Sequence, residues 1–219
     1  FLIAFLMNSI SLSETLQLFL AINYTISLAK NVSKHWKSKI SLSTDDQKII
    51  EVAKLSEINT KYLRPKNLSD DKSGKVETIA HLINHEEKSS LTNFDFILDL
   101  DVSSPLRNLD DIKKGFDIIN SDDQMLTLFS VSQPNRNPYF NVVEEDKLTG
   151  YYSLAKPLEK SFLSRQDAPK VYDMNASFYW YRRSFFEKEY NSPITDFTGV
   201  YIMDHVCFDL DHDLDFKFM

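Results

Sequence analysis

Glycine is scarce in this chain, with four residues among 219. They stand far apart, so the sequence contains neither a Walker loop nor a GxGxxG motif, both of which need closely spaced glycines to cradle phosphates. An excess of basic residues is also absent, because 25 Lys and Arg stand against 32 Asp and Glu, for a net charge of −7. Such a charge repels a phosphate backbone and predicts a protein that does not bind nucleic acid.

Cysteine and long apolar runs are lacking as well. Cys207 is the single cysteine, which excludes an internal disulfide and a cysteine-rich zinc site and favours a reducing, cytoplasmic location. The apolar stretch at residues 1–7 is far shorter than the ~20 residues that span a bilayer. No basic segment precedes it, as a secretory signal would require. We therefore expect no membrane association.

Strand and helix patterns alternate through the first 131 residues. Alternating polarity predicts strands, and apolar residues at helical spacing predict helices. The predicted strands are 39–43, 94–100 and 125–131, and the predicted helices are a first one up to residue 30, then 45–55, 76–85 and 109–119. With 42% hydrophobic residues, this order predicts one α/β domain over residues 1–219, with a mainly parallel sheet covered by helices. Ligands of such folds bind beyond the carboxyl ends of the strands.

Residues 133–165 interrupt this alternation. They begin with prolines and asparagines and continue as a polar, aromatic and poorly periodic segment, which predicts an excursion from the sheet. Segments of this length serve as active-site walls or dimer arms, and an ordinary surface hairpin is an equal alternative. Strands rich in aromatic and branched residues are predicted again at 176–181 and 200–203.

Two carboxylates lie at the end of one predicted strand. Asp99 and Asp101 share a strand face and are followed by hydroxyl side chains and Arg107. Such a set is suited to binding a cation, a polyol or an anion. The alternative is an ordinary strand end, with Ser103 or Asn108 capping the next helix.

A second acidic group lies near the end of the sequence. Asp209, Asp211, Asp213 and Asp215 alternate with other residues, as in a strand. Carboxylates this close repel one another unless a cation binds, and oxygen ligands completed by substrate phosphates suit Mg²⁺. An EF-hand is excluded because Leu214 stands where glycine is needed. The alternative is a solvated acidic tail.

A third group precedes the predicted strand 176–181. It contains Arg165, Gln166 and Lys170, with Asn175 next to the strand. Arg165 is suited to clamp a carboxylate, and Lys170 to meet a phosphate as a point charge. The alternative is a solvated loop.

Taken in order, these motifs resemble the acylneuraminate cytidylyltransferase family, the CMP–sialic acid synthetases. The matching segments lie between about residue 24 and residue 216. They are 43–46, 63–65 with 68–70, 100–107, 165–169 continuing to 175, and 209–211 with 215–216. Segments 99–102 and 137–144 look more like the branch that handles legionaminic-type sugars.

The resemblance implies a Rossmann-like, three-layer nucleotidyltransferase fold. It also implies a homodimer that transfers CMP from CTP to a nonulosonic acid, with release of pyrophosphate and with Mg²⁺ as cofactor. The segment 133–165 is then expected to form a dimer contact or a wall of the active site. By motif match, the implied catalytic residues are Asp209, Asp211 and Lys170, of which Asp209 and Asp211 are also the metal ligands. The implied substrate-binding residues are Arg64 toward the cytidine, Asp101 and Arg165 toward the sugar acid, and Arg107, Gln166 and Asn175.

The sequence departs from the family pattern at its beginning. The family opens with a strand followed by a loop rich in Gly, Ser, Arg and Lys that cradles the triphosphate. Residues 1–21 of this chain contain no Arg, Lys or Gly. Without those donors and cations little neutralises the β- and γ-phosphates, so we expect the chain to turn over CTP poorly or not at all.

Two other functions stay open at this point. Asp99 and Asp101 after a strand also resemble the nucleophile and acid of haloacid-dehalogenase-type phosphatases, although at least one strand–helix unit precedes them here. A catalytically inactive homologue that binds a sugar acid or a partner subunit is the other alternative.

Overall fold

A six-stranded sheet forms the centre of the protein. The computed structural model describes residues 1–6, 15–70, 73–158, 164–207, 209–210 and 213–218. The strands are β1 Leu2–Leu6, β2 Lys39–Ser43, β3 Phe96–Leu100, β4 Thr127–Ser132, β5 Val143–Glu145, β6 Tyr152–Leu154, β7 Asp173–Arg182 and β8 Thr198–Ile202. The order of strands in the central sheet is β2–β1–β3–β7–β4–β8. The helices are α1 Thr15–Trp36, α2 Gln47–Leu55, α3 Lys75–Ser90, α4 Leu109–Ser121 and α5 Asp213–Phe218.

Strand β1 lies between β2 and β3 and is parallel to both. The sequence patterns did not assign this strand, because it consists of consecutive apolar residues without alternation. A short continuous apolar run is typical of a strand that is covered on both faces. The apolar beginning of the chain is therefore part of the core of the sheet.

Strand β7 is the antiparallel member of an otherwise parallel sheet. It pairs with β3 on one side and with β4 on the other, while β4 and β8 are parallel. The prediction of a mainly parallel sheet is confirmed. The direction of β7 depends on the path of the chain through residues 133–172, which local sequence patterns do not determine.

Helices cover both faces of the sheet, as in a three-layer α/β fold. Ile3, Phe5 and Leu98 point to the face that packs against apolar residues of α1, α2 and α4. Leu2 and Ile97 point to the opposite face, which packs against α3 and the aromatic side chains of β7. Asp99 shares this second face by strand alternation, so its carboxylate lies beneath the beginning of α3.

Most predicted elements match the structure within a few residues. Strand β2 has the predicted bounds, whereas α1 continues six residues beyond the predicted end, to Trp36. Helix α4 begins with a capping box. The Asn108 side chain accepts a hydrogen bond from the backbone N–H of Asp111, and the Asp111 side chain accepts one from the backbone N–H of Asn108. The acidic run was expected to alternate like a strand, and this was wrong for its last part, because Asp213–Phe218 is helical.

The described residues of the segment 133–165 lie outside the six-stranded sheet, as predicted. Within it, β5 and β6 form a separate antiparallel hairpin. The hairpin exposes Val143, Leu148, Tyr151 and Tyr152. No helix in the described part of the chain is long and apolar enough to cross a membrane.

Candidate active site

The carboxyl end of β3 brings together side chains from three separate parts of the sequence. Asp101 follows β3 directly, and its Oδ1 accepts from the backbone N–H of Ser103 at 3.1 Å and from the Ser103 hydroxyl at 3.0 Å. The same hydroxyl oxygen lies 3.4 Å from Oδ1 of Asp209. The backbone N–H of Leu210 donates to the Ser103 carbonyl at 2.8 Å. Ser103 thus joins the predicted sugar-acid residue to the predicted metal ligand.

Lys75, the first residue of α3, supplies the positive charge at this point. Its Nζ lies 2.8 Å from Oδ2 of Asp99 and 3.0 Å from Oδ2 of Asp101. It also lies 4.2 Å from the ring centroid of Tyr179. The Asp99 side chain is 0% exposed, whereas those of Asp101 and Lys75 are 26% and 29% exposed. Asp101 and Lys75 therefore form the open side of the cluster.

The pKa shifts in this cluster follow from burial and from the ion pairs. Burial raises the pKa of Asp101, but the charge of Lys75 and the donors of Ser103 outweigh it and leave the pKa below its ordinary value. Burial also raises the pKa of Asp99, and Lys75 limits that rise. Burial lowers the pKa of Lys75, but the two carboxylates outweigh this effect and raise it well above the usual range. Lys75 is thus a cation and Asp101 an anion at neutral pH.

Arg107 lies beneath this cluster and is 1% exposed. Its Nη1 donates to the backbone carbonyls of Asp101, Ser104 and Ser177, and its Nη2 donates to the Thr25 hydroxyl at 3.2 Å. Burial lowers the pKa of Arg107 to about 10, which leaves it charged at neutral pH. The guanidinium thus ties the end of β3 to β7 and α1.

Asn175 belongs to the same buried frame. Its Oδ1 accepts from the hydroxyl of Ser130 at 2.6 Å, and its Nδ2 donates to the hydroxyl of Ser132 at 2.9 Å. Its backbone carbonyl accepts from the Ser104 hydroxyl at 2.7 Å. These bonds connect β4, β7 and the segment after β3.

Arg64 lies at the carboxyl end of β2, two strands away from β3. It is buried, and its guanidinium donates to the side chain and the backbone carbonyl of Ser43. Its backbone N–H donates to the carbonyl of Thr44 at 2.9 Å. Burial lowers the pKa of Arg64, and Asp45 and Tyr62 oppose that effect.

The remaining predicted site residues are less closely held. Arg165 and Gln166 lie in a single 3-10 turn, and both Gln166 and Lys170 are exposed. The amide of Asn137 donates to the carbonyl of Pro169 at 3.0 Å, which attaches this segment to the excursion. Nothing is described for the side chain of Arg165, and Asp211 lies outside the described residues.

Sequence reasoning missed Lys75 and a second cluster around Asp111. Asp111, Asp204 and His205 place one ligand atom each within 4.8 Å of one another, the one such group among the described residues. The carboxylate of Asp111 already accepts from the Tyr201 hydroxyl and lies 3.0 Å from Nε2 of His205. The spacing of residues along the sequence reveals neither cluster. The first forms only when α3 packs on β3, and the second only when α4 packs beside β8.

Three curated proteins show similarity over most of the chain, although no family model matches it. Flagellin post-translational modification protein B of Campylobacter coli is 36% identical over 199 residues, covering 90% of this chain and 80% of that protein. CMP-N,N′-diacetyllegionaminic acid synthase of Campylobacter jejuni is 36% identical over 197 residues, with the same coverage. Pseudaminic acid cytidylyltransferase of Campylobacter jejuni is 26% identical over 180 residues, covering 78% and 73%.

Two solved structures show the same fold at low sequence identity. CMP:2-keto-3-deoxy-manno-octonic acid synthetase in complex with CTP has a TM-score of 0.57 and 11% identity, covering 92% of this chain and 89% of that one. The 4-diphosphocytidyl-2C-methyl-D-erythritol synthase of Anaerococcus prevotii has a TM-score of 0.54 and 12% identity, covering 100% and 95%.

The sheet with helices on both faces therefore has the Rossmann-like fold of these two structures. The chain belongs to the acylneuraminate cytidylyltransferase family, as relatives at 36% identity over 90% of its length show. The family predicted from the motifs is thus confirmed. The phosphatase alternative finds no support, and its nucleophile, Asp99, is fully buried and paired with Lys75.

Proposed function

We propose that this chain binds a nonulosonic acid at the carboxyl end of β3 and carries the site for transferring CMP from CTP to that sugar acid, with release of pyrophosphate. The observation that supports this most directly is the chain of contacts from Lys75 through Asp101 and Ser103 to Asp209. It lies where parallel strands end, which is where open α/β sheets bind their ligands. Relatives named as a diacetyllegionaminic and a pseudaminic enzyme support the substrate class.

Mg²⁺ fits the chemistry of this edge. Asp209 lies within 3.4 Å of the Ser103 hydroxyl, beside Asp101, so carboxylate oxygens are close together where two anionic substrates would meet. Carboxylate oxygens are the ligands that Mg²⁺ prefers, together with substrate phosphates. Asp209 and Asp211 would hold the ion, whose role when bound is to neutralise phosphate charge during displacement at phosphorus.

The substrate-binding residues divide into an open group and a buried group. Gln166 and Lys170 are exposed and, together with Arg165, are assigned to the sugar acid and the phosphates by motif match. Arg64 is assigned to the cytidine, since it lies at the end of β2. Arg107 and Asn175 are buried and hydrogen-bonded to the backbone and to serines, so their contribution is to hold the end of β3 in place.

The triphosphate part of the site is deficient in this proposal. The family's phosphate loop would follow β1, and residues 1–21 contain no Arg, Lys or Gly. This observation favours a second candidate function, a homologue that binds the sugar acid but turns over CTP poorly or not at all. Both candidates share the sugar-acid site at β3.

The assembly and location follow the family expectation. The exposed apolar and aromatic side chains of the hairpin β5–β6 make it the candidate arm of a homodimer. The single cysteine and a nucleotide substrate favour the cytoplasm. Nucleic acid and membrane are not among the proposed partners.

The sugar-acid site is tested by calorimetric titration with N,N′-diacetyllegionaminic acid. We expect binding by the unaltered chain and about 10- to 100-fold weaker binding by Asp101→Asn, the usual loss for a hydrogen bond to a charged group. Asp123→Asn is the matched control, because that aspartate is fully exposed. Absence of binding by the unaltered chain, or equal binding by Asp101→Asn, would overturn the proposal. Pyrophosphate release with CTP then separates the two candidate functions.

A further inference from the structure

Lys75 stands at the beginning of α3, directly above two carboxylates of β3. We propose that Lys75 is a positioning residue that fixes the Asp101 carboxylate as a hydrogen-bond acceptor for the sugar acid, with Asp99 as its permanent counter-charge. This inference rests on the proposed function and adds a requirement to it. The sugar acid must offer a hydroxyl or amide N–H donor to Asp101.

The contacts of the ammonium show why it acts through Asp101. A lysine ammonium has three N–H donors, and Nζ contacts one oxygen of Asp99, one oxygen of Asp101 and the face of Tyr179. The hydrogen bond to Asp101 and the ion pair with Asp99 thus hold the ammonium against the end of β3. To bind a substrate phosphate or carboxylate instead, Lys75 would have to weaken these contacts.

Asp99 makes this arrangement stable. Its carboxylate is fully buried, and among the described residues neither oxygen has a hydrogen-bond partner, although Oδ2 lies 2.8 Å from Nζ of Lys75. Its charge is therefore compensated mainly by the ion pair with Lys75. Because an uncompensated buried carboxylate is costly, Asp99 holds the ammonium in place whether or not substrate is bound.

The hydrogen-bond donors around Asp101 leave one acceptor position of its carboxylate open to a ligand. An ionised carboxylate has about four acceptor positions. Ser103 takes two of them, both on Oδ1, and Lys75 takes one on Oδ2. The remaining acceptor position is on Oδ2, in a side chain that is partly exposed. Because an ionised carboxylate can only accept hydrogen bonds, this position requires a donor group on the sugar acid.

The test compares Lys75→Met with Lys75→Arg, using N,N′-diacetyllegionaminic acid and pseudaminic acid as probes. We expect affinity for the bound sugar acid to fall about tenfold in Lys75→Met, since Asp101 loses its fixed orientation, and to recover in large part in Lys75→Arg. Lys75→Met also leaves Asp99 without a cation and lowers Tm by about 10 °C. The double variant Lys75→Met/Asp99→Asn removes that charge and keeps the protein folded for the binding measurement.

Lys39→Met is the matched control. Lys39 pairs with Glu86, a carboxylate that is also buried, between β2 and α3 and away from the site. This variant is expected to lose stability but to keep the affinity for the sugar acid. Equal loss of affinity in Lys39→Met, or unchanged affinity in the double variant, would overturn the positioning role.

A measurement made without the sugar acid tests the role of Lys75 independently of the proposed function. Carbon-13 NMR of the aspartate carboxyl groups reports the pKa of Asp101 directly, and the inference requires that it rise in the double variant relative to the unaltered chain. If the unaltered chain binds neither sugar acid, the proposed function fails whatever the titration gives. If it binds, but the Asp101 titration is the same with and without Lys75, only the positioning role fails.

Discussion

The carboxyl ends of β1 and β3 are neighbours on the same edge of the sheet, yet they differ in chemistry. At the end of β3, an ion pair joins Lys75 to Asp101, a hydrogen bond joins Asp101 to Ser103, and the Ser103 hydroxyl lies 3.4 Å from Asp209. At the end of β1, Phe5 contributes to a cavity whose described lining carries no charge. The lining residues are Phe5, Ile22, Thr25, Ile26, Leu42, Ile49, Ala53, Ile58 and Val102.

This difference separates the two halves of a site that must hold two anionic substrates. Buried hydrogen bonds of Arg107 and Asn175 hold the residues at the end of β3 in place. These residues therefore contribute to the stability of the fold as well as to the proposed site. The phosphate loop that the family places after β1 acts through backbone donors and cations, and it contributes little to the core. Here β1 and α1 are still packed into the core although residues 1–21 lack Arg, Lys and Gly. Loss of that loop is therefore compatible with an intact fold.

The largest expected effect comes from removing the support of the β3 end. Arg107→Met removes the guanidinium donor from the backbone carbonyls of Asp101, Ser104 and Ser177, at a cost of about 3–5 kcal/mol, so we expect Tm to fall by roughly 10 °C. Thermal unfolding followed by circular dichroism measures this. Arg136→Met, at an exposed position, is the control and should change Tm little. An unchanged Tm in Arg107→Met would mean that the β3 end does not depend on this buried frame.

A smaller effect is expected at the segment that leads from β8 to Asp209. His205 lies 3.0 Å from the buried carboxylate of Asp111, and this hydrogen bond raises the pKa of His205 against the opposing effect of burial. A raised pKa adds stability that is fully present below the unfolded value of about 6.5 and is lost as pH rises through the folded value. The side chain is 36% exposed, so the contribution stays below about 1 kcal/mol.

His205→Gln tests this contribution. We expect the difference in Tm between pH 5.5 and pH 8.5 to be smaller in the variant than in the unaltered chain, because the protonated ring no longer binds Asp111. His35→Gln, an exposed histidine on α1, serves as the reference. The same pH dependence in both variants would contradict the role assigned to the His205–Asp111 pair.

Much of this molecule could be predicted from sequence, and the exceptions have physical reasons. The elements β2, β3 and α4 follow from local periodicity, and the family follows from the order of the motifs. Strand β1 was missed because an unbroken apolar run has no period of two. Lys75 was missed because its importance arises from the packing of α3 over β3, where a helix start meets a strand end 24 residues further along the chain.

The end of β3 keeps its charged and hydrogen-bonded side chains, whereas residues 1–21 lack the Arg, Lys and Gly that would bind a triphosphate, so we expect the chain to bind the sugar acid but not CTP. Titration with CTP in the presence of Mg²⁺ tests it most directly, on the unaltered chain and on a chimera with the family's Gly-, Arg- and Lys-rich loop in place of residues 7–14. Because Leu2–Leu6 is a central strand and α1 begins at Thr15, this replacement leaves both elements intact. We expect the chimera to bind CTP and the unaltered chain not to bind it. Tight CTP binding by the unaltered chain would contradict it.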